Sequence, residues 1–157
     1  IDVAYQKLYN FQPLTERQKR HYCDMYFPLL NFDFVTVVVN EKNEVVGVGV
    51  GMPDISKALR KCKGRLLPLG WRHMLKALHS DHYDTFDFLL IAVRPDYQDR
   101  GLNAVIIADQ HPYFVKYNIR CIETTAIMEN NFKNLNHWEV FPHKYHKRRR
   151  AYIKPIG

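Results

Sequence analysis

The residues best suited to act on a ligand lie together, in the run Gln98-Asp99-Arg100-Gly101-Leu102-Asn103. It stands between an apolar stretch ending at Val93 and another beginning at Leu102. A strand that turns at once into a helix leaves the first four helical N–H groups without partners inside the helix. Those groups sit at the positive end of the helix dipole, where a phosphate is a natural occupant. Gly101 removes a side chain where a ligand would meet the backbone, and Arg100 adds a positive charge. The same residues also suit an ordinary strand-to-helix turn with a solvated Asp-Arg pair, so context must decide.

Other reactive groups are scattered. The His-x-x-His pairs His79/His82 and His143/His146 have no cysteine near them in sequence, and no metal site is expected. Cys23, Cys62 and Cys121 are far apart and odd in number, which fits reduced thiols in a cytoplasmic protein better than a disulfide framework. The net charge of +7 points to an anionic ligand or partner, with coenzyme A and nucleic acid both fitting that sign. The basic run His146–Arg150 reads either as a nucleic-acid or targeting patch or as a terminal strand whose alternate residues face water. The strand is the reading carried forward; it puts Arg148, Arg150 and Lys154 on one face, and nucleic acid is not expected as a partner. No apolar run reaches the roughly 20 residues of a membrane helix, and no signal peptide stands out.

Placing these groups falls to a chain of 157 residues, the size of one domain, and its 46% hydrophobic content is enough for a core. It opens with Ile1 rather than Met, which suggests the C-terminal part of a longer protein. Residues 14–30 read as a helix capped by Thr15. Residues 32–39 and 45–52 read as a hairpin across the turn Asn40–Glu44. Gly47, Gly49 and Gly51 alternate with valines and bare one face of its second strand, either for a ligand or backbone or for tight packing under a helix. Residues 54–79 supply two helices, the first with Asp54 as cap and Gly64 as stop, the second with Trp71, Met74, Leu75 and Leu78 at helical spacing. Two such short helices must lean on the body of the domain, and Trp71, Met74 and Leu78 are expected to make that contact. Then come a buried strand (84–93), a helix from Leu102 to about Tyr117 that Pro112 should bend, a strand (120–128), a helix (131–140) and a basic strand (145–156). The strand–helix–strand unit should pair in parallel. The expected class is mixed α/β.

In this setting, "LLIAVRPDYQDRGLNAVII" resembles the acetyl-CoA-binding signature of the GNAT superfamily of N-acetyltransferases: a hydrophobic strand, Gln/Arg-x-x-Gly-x-Gly/Ala, then a helix. Asn103 stands where the pattern has a small residue. "ETTAIMENNFKNLNHWEVF" resembles the strand and helix that follow in that fold, with Asn131 at a coenzyme-contacting asparagine. Trp138 stands where many members carry a tyrosine general acid. The resemblance runs from Phe32 to the end. It departs in lacking the first strand of the usual fold and in residues 54–79, where the family has a short turn.

The resemblance implies a twisted mixed sheet with splayed central strands flanked by helices, plus a two-helix insertion between the usual third and fourth strands. It implies that Gln98, Asp99, Arg100, Gly101, Leu102 and Asn103 hold the pyrophosphate of acetyl-CoA, that Asn131 also touches the coenzyme, and that the backbone of Ile91 and Val93 pairs with the pantetheine arm. A position eleven residues before the loop Gln serves as base in the histone-acetylating branch. Here that position is Asp87, with Glu123 on the next strand as the other candidate. Acetyl transfer needs a neutral amine, so a base must take its proton. Two classes stay open: an N-acetyltransferase acting on an amine, and a non-catalytic acyl-CoA- or nucleic-acid-binding module.

Overall fold

A computed structural model describes residues 2–8 and 11–154. The chain divides into two compact units, Ile1–Thr125 and Ala126–Gly157.

The first unit is built on a four-stranded mixed sheet in the order β1-β2-β3-β4, with β1 Val35–Val39, β2 Val45–Pro53, β3 Thr85–Val93 and β4 Cys121–Thr124. β1 and β2 form the expected antiparallel hairpin. In its turn the Asn40 side chain accepts from the N–H groups of Lys42 and Glu44, and Asn43 takes a positive φ of 58°. β3 runs antiparallel to β2 and parallel to β4, and helix α5 (Leu102–Lys116) connects the parallel pair. Among the described residues no strand precedes β1. Thr15 caps α2 (Glu16–Tyr26) in a reciprocal capping box with Gln18.

α5 lies on the bared face of β2. A Cβ built on Gly49 would stand 2.2 Å from Cγ2 of Ile106, and one on Gly51 2.0 Å from Cζ of Phe86. Carbon atoms rest at about 3.5–4.0 Å, so the glycines answer to packing rather than to a ligand. Phe34, Phe86 and Ile106 are fully buried at this junction. The Phe86 ring lies 5.0 Å from that of Phe34 and 4.9 Å from that of Phe114 on α5. Gln110 of α5 donates to the carbonyls of Phe34 and Gly49 at 3.2 and 3.4 Å, which fixes the helix along the sheet.

The insertion forms α3 (Ser56–Lys61) and α4 (Gly70–Leu78). Asp54 accepts from the N–H of Ser56, while Ile55 holds the cap position itself. Of the three residues expected to lean on the body, Trp71 is 47% exposed with its indole N–H donating to the Pro68 carbonyl, while Met74 and Leu78 are half-buried. Polar ties also hold the insertion, through Tyr83 Oη on the Leu78 carbonyl at 2.8 Å and through the Lys57–Asp84 ion pair. Helical periodicity marks an apolar stripe but not which residue of it meets the body.

The second unit carries α6 (Phe132–Trp138). Two strand predictions fail. β4 stops at Thr124 rather than Met128, and residues 145–154 form no strand and are exposed; 155 and 156 lie outside the described residues. Arg148, Arg150 and Lys154 therefore share no strand face. β propensity alone holds no strand without a partner edge, and the run Lys147–Arg150 sets four like charges side by side.

Candidate functional site

After Val93 the chain makes one 3₁₀ turn, Pro95–Tyr97. It then reverses through two left-handed residues, Asp99 at φ 61° and Gly101 at φ 77°, and α5 begins. Gly101 is the N-cap and offers no side chain to cap the helix. A Cβ built there meets nothing within 4 Å, so the backbone conformation, not crowding, calls for glycine, and the helix start opens on free space. Asp99, Arg100 and Gly101 are exposed, and Gln98, Leu102 and Asn103 are half-buried. The first N–H groups of a 15-residue helix converge on this spot.

Two arginines flank the loop, and they differ. Arg94 is committed: it grips Asp96 at 2.7 and 2.8 Å and reaches Glu44 at 3.3 Å. Its guanidinium holds the Asp96 carboxyl below the usual range, and Glu44 is lowered by Asn40 and then by Arg94. Arg100 lies 5.1 Å over the Tyr97 ring, where its charge borders the helix start. Gln98 folds back so that its Nε2 donates to the Val93 carbonyl at 3.1 Å.

β3 leads from this loop to the two candidate bases. β4 pairs with β3 only from Thr85 to Phe88. Thr125 adds bonds to the carbonyls of Phe88 and Leu89, and beyond that no strand of the described residues pairs with this edge of β3. On the other edge, the Arg94 N–H donates to the Val46 carbonyl, so the even positions 90, 92 and 94 face β2. Ile91 and Val93 therefore aim their backbone groups at the open edge. The splay expected between these strands is present, and these two residues line it.

Asp87 and Glu123 are direct partners in the parallel register. Phe86 and Phe88 turn toward the buried face, so Asp87 and Glu123 share the opposite face, and both are half-buried. Asp87 stands six positions before Val93 along the strand, roughly 20 Å at the usual rise. In the second unit, Asn131 caps α6 by accepting from the Asn134 N–H at 3.4 Å. The indole N–H of Trp138 donates to the Asn134 side chain at 3.0 Å. His79 and His143 contact nearby carbonyls, those of Leu75 and Phe141, while His82 meets Asn118, 36 residues away.

The sequence drew no attention to Tyr5, on the short helix α1 (Asp2–Tyr5). Its hydroxyl donates to the Ile91 carbonyl at 2.7 Å on the open edge of β3. The partners are 86 residues apart, and no local pattern could announce the contact.

No family model matches the chain. It is 28% identical over 160 residues to Protein YghO of Escherichia coli K12, a match that takes in 99% of this chain but 41% of YghO. The chain thus spans about two-fifths of that relative's length. It is similar in structure to an acetyltransferase of Trypanosoma brucei, with TM-score 0.52, 14% identity, and 98% of this chain and 89% of that one covered. Against aminoglycoside 6'-N-acetyltransferase AAC(6')-IG of Acinetobacter haemolyticus the TM-score is 0.54 at 10% identity, with 98% and 89% covered. The chain has the GNAT acetyltransferase fold. Its GNAT-like sheet carries the parting of β3 and β4 that the resemblance implied, and α3 and α4 occupy the stretch where the family has a short turn.

Proposed function

We propose that the chain is an acetyl-CoA-dependent N-acetyltransferase acting on an amine. The observation that carries this reading is the open edge of β3 from Ile91 to Val93, bounded by the Gln98–Asn103 helix start at one end and by Asp87 with Glu123 at the other. An anion site, a row of backbone groups and a carboxylate pair follow one another along β3, the pair being completed from β4. That order suits a long ligand with a phosphate at one end and a reactive group at the other.

In this reading the backbone N–H groups at Gly101, Leu102 and Asn103, aided by Arg100, hold the pyrophosphate, with Gln98 and Asp99 shaping the turn. Ile91 and Val93 pair with the amides of the arm as a strand edge does. Acetyl-CoA supplies the acetyl group as a thioester. Adjacent carboxylates repel each other, so Asp87 and Glu123 together attract a cationic amine and offer a base for its proton. Asn131 is a further coenzyme contact by resemblance. The working compartment in this reading is the cytoplasm.

A second reading, coenzyme binding without transfer, is favoured by Trp138, which brings no hydroxyl to the position where many GNAT proteins carry an acidic tyrosine.

Calorimetry with acetyl-CoA tests the first step. Wild-type protein should bind it, and Gly101→Glu, which adds bulk and negative charge at the helix start, should not. The Gly101 site has room for a side chain, and a left-handed non-glycine residue costs roughly 1–2 kcal/mol, so the variant should fold. Equal binding by both proteins refutes the assignment. Turnover with an amine panel then separates enzyme from binder.

A further inference from the structure

We propose that Tyr5 belongs to the coenzyme cleft: its hydroxyl occupies the hydrogen-bonding slot at Ile91 that a pantetheine amide would use, so Tyr5 docking and coenzyme binding exclude one another. This rests on the reading above.

The two carbonyls on the open edge of β3 are both held by side chains of this chain. Val93 is held from five residues away by Gln98, a neighbour in the same loop. Ile91 is held by Tyr5, which belongs to a separate element. A carbonyl at a half-buried strand edge needs a donor. Where β4 has turned away, the phenol supplies one. Its hydroxyl lies 2.7 Å from the Ile91 oxygen, inside the roughly 4.8 Å that separates paired strands. A ligand pairing with this edge as an added strand therefore needs the space Tyr5 fills.

α1 is suited to leave. It has four residues, none of them buried, and Val3 is exposed. A further polar tie, to α2, is an ion pair from Asp2 to Lys19 at 2.9 Å, a partly exposed pair. Elements with few buried contacts open at low free energy. Burial pushes the Tyr5 hydroxyl up to about 12, which keeps it a donor at neutral pH. No covalent step is involved; one hydrogen bond to Ile91 replaces another.

The test compares wild type with Tyr5→Phe, using coenzyme A itself as the probe. The variant keeps the ring and loses the hydroxyl. If docking competes with coenzyme, removing a net hydrogen bond should tighten the coenzyme A Kd about fivefold, which is about 1 kcal/mol. Amide exchange over residues 2–5 should rise when coenzyme A is added to wild type, and should already be raised in the variant without it. A purely structural Tyr5 would lower the thermal midpoint of Tyr5→Phe and leave the Kd unchanged or weaker, and that result overturns the proposal. If wild type binds no coenzyme A, the functional reading fails and this proposal falls with it. If wild type binds and the two Kd values agree, only the role of Tyr5 is refuted.

Discussion

Replacing Gly49 by alanine tests whether β2 is bared for helix α5. The new methyl would sit 2.2 Å from Cγ2 of Ile106, a side chain with no exposed surface. Ordinary carbon contact needs about 3.5–4.0 Å, so helix or strand must give by roughly 1.5 Å. Overpacking of a close-packed core typically costs about 1–3 kcal/mol. The upper half of that range is expected here, because Ile106 is hemmed in by the sheet and by the Gln110 anchor. Gly47→Ala is the control: its built Cβ meets Val38 and Ile106 at 3.4–3.5 Å, so the change should stay within about 0.5 kcal/mol. Urea titration of both variants reads the difference as a shift in midpoint at constant slope. The double variant Gly49→Ala/Ile106→Ala then supplies the cycle. Removing Cγ2 should make the pair less destabilised than the sum of its single changes by about 1 kcal/mol or more. Additive single effects, or a harmless Gly49→Ala, would refute the packing argument and return β2 to the list of surfaces a ligand could approach.

Two further outcomes follow. Asp87→Asn should lower kcat with a validated acceptor by roughly two to four powers of ten while leaving acetyl-CoA affinity nearly unchanged; unaltered turnover would move the base role to Glu123, its partner on β4. Lys116 and then Tyr117 hold the Asp33 carboxyl below its ordinary value, with contacts at 2.8 and 2.7 Å. Because the folded-state value is the lower one, the stability this carboxylate contributes is present above the unfolded-state range near pH 4 and is lost as pH falls toward the folded value. The stability gap between wild type and Asp33→Asn, followed by denaturant titration, should therefore shrink from pH 6 to pH 3, and a gap that widens on acidification would contradict the assignment.

What the residues announced and what they hid divide along physical lines. The Thr15 cap, the turn at Asn40–Glu44 and the apolar run of β3 are local patterns, and each forms where it was expected. The turn from Val93 into α5 was equally legible as a polar loop between two apolar runs, although Gly101 was read there as room for a ligand and the structure shows it as a left-handed step. The bared face of β2 was not decidable from the alternation of glycine and valine. A helix and a ligand both ask for missing side chains, and only the position of Ile106 tells them apart. Residues 145–154 show the reverse failure. Their composition allowed a strand, but strands form by pairing, and nothing in a single stretch says whether an edge waits for it. β4 stopping at Thr124 is the same lesson at the other end.

That early stop is also what makes the site. Had β4 continued to Met128 against β3, the backbone groups of Ile91 and Val93 would have been consumed by the ladder, and no edge would remain for a ligand. The misjudged strand length and the candidate cleft are one fact. A chain that leaves two outward strand carbonyls without a strand partner must satisfy them otherwise, and here it does so with Gln98 and Tyr5. Gln98 was within reach of a sequence reading, since it stands five residues beyond Val93 in the loop whose pattern drew attention first. Tyr5 was not, because its role exists only once β4 has turned away and α1 has come to lie against β3. Local rules thus pointed to the end of the proposed cleft where an anion would bind. Its middle, where an extended arm would lie, depends on where pairing ceases, and that is a property of two strands and a distant helix together.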